Sequence, residues 1–214
     1  MIAAREPRSA VDPSSALMSR VIEACRDAIV AREAYLCDLD CAIGDGDHGT
    51  NMRRGLDALA AERQRLAGMP LAEAMSAAGT ILVMSIGGAA GPLYGTLLLE
   101  IGRGLSTGRS ETEFPEVFQH AVAAVAQRGR SSLGEKTLLD VLYPLSDELI
   151  KHVPLQHLAE KIQGFADMTI DMKAMRGRAS FLGGRSIGHM DPGAASSALL
   201  AAIVCHELAK AGAA

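Results

Sequence analysis

Aromatic side chains are nearly absent: they make up 3% of the 214 residues, and there is no Trp. With so few aromatic residues and abundant Ala, Leu and Met, the composition favours helices over the β-branched and aromatic usage of sheets. Excess positive charge is missing as well. The formal net charge is −4 and no Lys/Arg run concentrates on one segment, which excludes an electrostatic footprint for nucleic acid. No apolar run approaches the roughly 20 residues of a membrane span, and Met1-Ile2-Ala3-Ala4-Arg5-Glu6 lacks the apolar core of a secretory signal, so a cytoplasmic location without membrane contact is expected. Cysteine is sparse. Cys25, Cys37, Cys41 and Cys205 have neither the density of a disulfide scaffold nor a Cys-x-x-Cys zinc spacing, and are expected as free thiols.

What is there is helical periodicity. Residues 1–13 hold charge, Ser and Pro without period and read as a flexible N-terminus, and residues 14–214 read as a single domain. From Ser14 to Tyr35, Leu17, Val21, Ala24, Cys25, Ala28 and Ile29 recur at three- and four-residue steps, with Asp12 and Pro13 suited to the cap and first turn. The punctuation predicts further helices over about 50–66, 70–86, to about 101, 113–127, 137–152, 154–175 and 192–212. Pro144 is expected to kink the sixth, and Asp191 with Pro192 to start the eighth. Eight helices and no strand define an all-α chain.

The break predicted over 38–49 gathers Asp38, Asp40, Asp45 and Asp47 with three glycines. Carboxylates so crowded repel or take up protons unless a cation neutralises them, and oxygen-only ligands select hard cations such as magnesium or calcium. A solvated turn with helix caps is the plainer alternative, and Asp38 is its best candidate. Gly44-Asp45-Gly46-Asp47-His48-Gly49 matches the dinucleotide fingerprint in letters only, because it follows a helix and carries acids where a pyrophosphate would lie. No frame of the loop meets the EF-hand pattern. Residues 129–137 miss a P-loop by one position, Glu135. Two other Gly-rich connections, 87–92 and 177–193, precede helices, where unpaired backbone donors suit phosphate oxygens, and Arg178 could clasp a phosphate with its planar fork.

Four ordered strings, Ile43 to Gly49, Gly87-Gly88-Ala89-Ala90-Gly91-Pro92-Leu93-Tyr94-Gly95-Thr96, Gly134-Glu135-Lys136-Thr137 and the stretch Gly177 to Gly193, closely resemble the L subunits of dihydroxyacetone kinase, a resemblance that covers nearly the whole chain from Ser14. The resemblance implies an eight-helix up-and-down barrel with ADP or ATP and two magnesium ions at one end. By position it implies Asp40, Asp45 and Asp47 as metal ligands, and His48, Gly49, Thr50 and Asn51 near the phosphates. It also implies Ala89 and Ala90 as backbone contacts, Gly129 and Leu138 beside the base, and Asp191, Pro192 and Gly193 completing the pocket, with Arg178 as both nucleotide-binding and catalytic. Ala90, Gly184 and Phe181 depart from a common Ser, Glu and Tyr. The implied activity is phosphoryl transfer to dihydroxyacetone or a related short ketose held on a separate K subunit, with a phosphotransferase-system M subunit as a further partner in some members. A nucleotide-loaded regulatory subunit acting on a transcriptional regulator, and a calcium-binding helical module, are the alternatives.

Overall fold

The computed structural model describes residues 13–107 and 113–213. The expectations for residues 1–12, including the Asp12 cap, lie outside them. Nine α-helices occur among the described residues, and no strand: α1 (Pro13–Ile43), α2 (His48–Ala61), α3 (Arg63–Ala67), α4 (Leu71–Ser85), α5 (Ala90–Ser106), α6 (Phe114–Gly129), α7 (Leu139–Ile150), α8 (Leu155–Asp167) and α9 (Pro192–Gly212). The ninth arises because the predicted second helix breaks at Glu62, leaving α3 as a five-residue continuation.

The largest difference from the sequence expectation is at the end of α1, which runs to Ile43. Asp38 and Asp40 are therefore helical, and so is Cys41, leaving only residues 44–47 as a turn. The stripe Ile29, Leu36, Asp40 and Ile43 is buried at helical spacing, so the apolar face continues straight through Asp40. At the other end of the chain, the predicted helix over 154–175 stops at Asp167, and the segment that follows contains two 3₁₀ stretches, Met168–Asp171 and Arg178–Ser186. Gly177 and Gly183 in this segment have positive φ, which no continuous α-helix tolerates.

Each long helix packs on the next in the order α1, α2, α4, α5, α6, α7, α8, α9, and α9 returns against α1, which closes a ring. Short connections make neighbours antiparallel, so alternate connections fall at the same end. The α1–α2 turn, the α4–α5 loop, the α6–α7 loop and the long α8–α9 connection consequently share one end. All four strings singled out in the sequence lie there.

A continuous apolar core joins Ile29, Met52, Leu82, Val122, Val141 and Ile162, one from each of six helices, to Ala194 and Ala198 of α9. Small residues let helix axes approach. A Cβ on Gly79 would lie 2.8 Å from the Gly95 carbonyl oxygen, and one on Gly95 would lie 2.9 Å from the Gly79 carbonyl, so α4 and α5 cross backbone to backbone. Helix α9 is long and apolar enough by length and composition to cross a membrane, which the sequence expectation overlooked because Ser196, Ser197, His206 and Glu207 interrupt the run. In the fold its first turns are core: Ala194, Ala195, Ser196, Ser197 and Ala198 are all buried. The four cysteines are free, as expected.

Close crossing makes a differential prediction. Gly79→Ala is expected to lower stability by about 1–2 kcal/mol although Ala is the better helix former, whereas Gly164→Ala, with nothing within 4 Å of the new Cβ, should raise it by up to about 1 kcal/mol. Denaturant unfolding of the two variants checks both signs.

Candidate metal and anion site

Where α1 ends, Gly44 must be glycine because a Cβ there would run into the Asp40 carboxylate, and Gly46 takes φ +80°. This tight turn delivers α2 with its first N–H groups facing Asp40: one oxygen of Asp40 accepts from Asp47 N at 2.9 Å and from His48 N at 3.1 Å. Asp47 occupies the N-cap position but makes no side-chain cap bond, since Asp40 has taken that role. Each of Asp40, Asp45 and Asp47 then offers a carboxylate oxygen within 4.8 Å of the others. Asp40 is buried at the foot of the cluster and the other two are exposed, which gives a cation an open approach.

The carboxylates lie along an open cleft of about 200 Å³ at the loop end of the barrel. Its opposite wall is the α4–α5 loop from Gly87 to Ala90, and its rim is formed by Arg176, Gly177, Arg178 and Ala179 of the α8–α9 connection, with Asp191 and Pro192 behind. Arg54 braces the α4–α5 loop, donating to the Ser85 carbonyl at 2.7 Å and to Asn51 Oδ1 at 2.8 Å. Gly87 has no room for a Cβ beside Asn51 and Arg54. Arg178 forms an ion pair with Asp45 across the cleft mouth. The oxygen-only donor set, its spacing and its open side fit a hard divalent cation such as magnesium, and the adjacent guanidinium and helix starts fit the anion that such a cation would carry.

Polar groups behind the cleft fix its floor. His48 Nε2 meets Ser196 Oγ at 2.8 Å, and the Tyr94 hydroxyl lies 2.7 Å from Ser196 Oγ and 2.8 Å from Ser197 Oγ. Burial pushes the His48 imidazole below its ordinary value despite Asp40 and Asp47 nearby, so it is neutral at pH 7, and pushes the Tyr94 phenol up to about 12. Asp191 caps α9 by accepting from Ala194 N at 2.7 Å, and burial raises its carboxyl to about 7.

Of the residues expected in the site, the cleft brings together Asp40, Asp45, Asp47, His48, Asn51, Ala89, Ala90, Arg178, Asp191 and Pro192. It does not reach Gly49, Thr50, Gly129, Leu138 or Gly193. Gly49 sits against the Glu33 carbonyl where α1 and α2 cross, and Thr50 turns outward to Glu33 at 3.2 Å. Gly129 abuts Leu93, and Gly193 abuts Leu138. The residues missed were Arg54, Arg176 and Tyr94. Tyr94 lay within a quoted string, but the arginines carried no local signal.

The fold and this cleft define a closed helical barrel with a carboxylate-lined cation site and an anion-ready rim at one end. The model of the DAK2 domain family matches residues 42–206. The chain is 42% identical over 175 residues to the ADP-binding subunit DhaL of PEP-dependent dihydroxyacetone kinase 1 from Listeria innocua, covering 81% of this chain and 87% of that protein. It is 36% identical over 182 residues to the corresponding DhaL subunit of Escherichia coli, covering 80% and 87%. Among solved structures, it resembles the dihydroxyacetone kinase of C. freundii in complex with AMP-PNP and Mg²⁺, with TM-score 0.70 and 24% identity over 98% of this chain. At that identity the likeness shows the all-α fold, and this chain spans only 36% of the longer kinase chain. The chain belongs to the DAK2 domain family, among the DhaL subunits of dihydroxyacetone kinase.

The two outer roles of the carboxylates separate experimentally. Asp40→Ala removes the α2 cap and is expected to cost about 1–2 kcal/mol of metal-free stability, whereas Asp45→Ala, which relieves repulsion and breaks only an exposed ion pair, should change it by less than about 0.5 kcal/mol. Urea unfolding in the presence of a chelator distinguishes them, and equal losses would contradict the division.

Proposed function

We propose that residues 14–214 are a single nucleotide-binding domain that serves as the ADP- or ATP-holding subunit of a dihydroxyacetone-type kinase. The phosphoryl group passes to dihydroxyacetone or a related short ketose bound on a separate K subunit. The observation that carries this reading is the convergence of Asp40, Asp45 and Asp47 within 4.8 Å beside Arg178 and the α4–α5 loop. Family membership supports it, and so does the AMP-PNP and Mg²⁺ of the C. freundii kinase.

In this reading the three aspartates hold two magnesium ions. When bound, such ions would supply charge compensation along the phosphate chain. The protein's own share is placement. Asp40 keeps the start of α2 in register, with His48 and Asn51 lining the cleft where the phosphates would lie. The backbone of Ala89 and Ala90 lines the phosphate side of the cleft. Gly129, Leu138 and Gly193 border the base, and Asp191 with Pro192 closes the rear. Arg178 offsets charge developing on the transferred group, and a loose transition state asks for nothing more from a nucleophile on this chain.

The cleft opens at the barrel end, and the acceptor arrives there on the K subunit. Three relatives are named PEP-dependent and a fourth PTS-dependent, which supports rephosphorylation of bound ADP by a phosphotransferase-system M subunit over exchange for ATP. A cytoplasmic location belongs to the same proposal. The expected outcome is that the purified chain does not turn over dihydroxyacetone alone and does so once a K subunit and phosphate donor are added. Asp47→Ala should reduce turnover of the reconstituted system by at least about a hundredfold, a loss of roughly 3 kcal/mol in transition-state stabilisation. Turnover by the isolated chain, or an active Asp47→Ala, would overturn the proposal.

A further inference from the structure

The connection between α8 and α9, residues 168–191, carries Arg176, Gly177, Arg178, Ala179 and Asp191 to the cleft. It contains no α-helix and only two 3₁₀ stretches. Such a strap needs external ties to hold a side chain in place. Within it, Gly188 N donates to the Ile170 carbonyl at 2.8 Å and Ala174 N to Ser186 Oγ at 2.9 Å, and from the α6–α7 loop two consecutive residues tie it down. The Lys136 ammonium donates to the Thr169 carbonyl at 2.6 Å and to the His189 carbonyl, thereby joining the two ends of the strap. Glu135 accepts from Arg176 Nε at 2.8 Å and Nη2 at 3.1 Å, and its backbone carbonyl accepts from Met175 N at 3.1 Å. Met175 and Arg176 are separated from Arg178 only by Gly177.

Lys136 combines two costs. Its side chain is 1% exposed, and burying an ammonium is expensive unless its donors are satisfied. It also has φ +61°. Among the described residues only Arg130, Lys136 and His152 are non-glycine residues with positive φ; Arg130 caps α6 and His152 follows the end of α7, where left-handed residues commonly close helices. Lys136 ends no helix. The surrounding loop enforces its conformation: buried Asp140 accepts from Gly134 N at 2.5 Å and from Thr137 N at 2.7 Å, on either side of it. A strained backbone and a buried cation held at one residue, both directed at the strap, mark a functional constraint rather than packing.

We propose that Lys136 is a positioning residue: its ammonium gathers the two ends of the 168–191 strap and so sets where Arg178 stands at the rim, with Glu135 and Arg176 as the outer tie. The near-match to a phosphate-binding loop at 129–137 is thereby a clamp that acts on the phosphate site through the strap. Burial lowers the Lys136 ammonium below its ordinary value, and Asp191, Asp140 and Asp171 counter this. Glu135 is held down to about 2, first by Arg176, then by Ser132 N–H and the Ser131 hydroxyl, so the outer tie stays charged across the neutral range.

The inference about Arg178 rests on the proposed nucleotide site, but the clamp itself does not. Amide hydrogen exchange of Lys136→Met, followed segment by segment, is expected to accelerate in residues 170–190 by at least about tenfold, as two charge-assisted hydrogen bonds are lost, while the α4 and α5 amides stay at wild-type rates. Affinity for Mg·ADP, measured by calorimetry on the same samples, should fall by about tenfold or more. Wild-type exchange in the strap, or acceleration spread evenly over all helices, overturns the clamp. A loosened strap with unchanged affinity in a wild type that binds Mg·ADP overturns the positioning of Arg178. If the wild type binds no Mg·ADP, the functional reading fails while the exchange result still decides the clamp. Should Lys136→Met not fold, Arg176→Met removes only the exposed tie, and it must accelerate exchange in residues 172–180; wild-type rates there contradict the proposal.

Discussion

Three carboxylates kept within 4.8 Å of one another are a standing electrostatic cost, and much of the loop end of this barrel is arranged to sustain it. Asp40 can sit at the foot of the cluster because its charge is spent on the first N–H groups of α2, where the positive end of the helix dipole also favours it. Gly44 leaves room for that carboxylate, and Gly46 turns the chain so that Asp45 and Asp47 face the same space. Arg178 supplies a compensating charge from a distant part of the chain. Each of these features would be an oddity alone. Together they keep three carboxylates facing one space.

The barrel serves this site by being rigid and closed. Backbone-to-backbone contact of α4 with α5 at Gly79 and Gly95, and the small buried residues of α9, bring helix starts close enough for three loops to share one cleft. An up-and-down ring places alternate connections at one end, so the α1–α2, α4–α5, α6–α7 and α8–α9 connections meet without any long excursion except the strap. That excursion contains no α-helix and only two 3₁₀ stretches. Its attachment through Glu135 and Lys136 links the α6–α7 loop to the rim of the cleft.

Much of this was legible in the residues. Helix starts marked by Pro70, Pro154 and Asp191-Pro192 fall within a residue or two of the structure, because proline and capping residues act locally. Pro144 indeed lies inside α7, at a helix position where it leaves one carbonyl without its partner. Crowded aspartates pointed to a shared cluster, and the fold brings Asp40, Asp45 and Asp47 within 4.8 Å of one another. The end of α1 was misplaced because Asp38, Asp40 and Gly44 look like loop formers, although Leu36, Asp40 and Ile43 keep the helical period. The glycines from Gly177 onward marked the second part of the strap as a loop, but its first part, 168–175, was read as helix although α8 stops at Asp167 and a 3₁₀ stretch follows. Lys136 and Arg54 could not be placed at all, because their partners lie 31 to 53 residues away.

The central claim is that the aspartates and the nucleotide bind through shared metal. Calorimetric titration of ADP into the purified chain, with magnesium present and then with it chelated, addresses that claim most directly. Mutual dependence is predicted: ADP affinity falls by at least about a hundredfold without magnesium, and magnesium alone binds weakly. Equal ADP affinity under the two conditions would contradict the account.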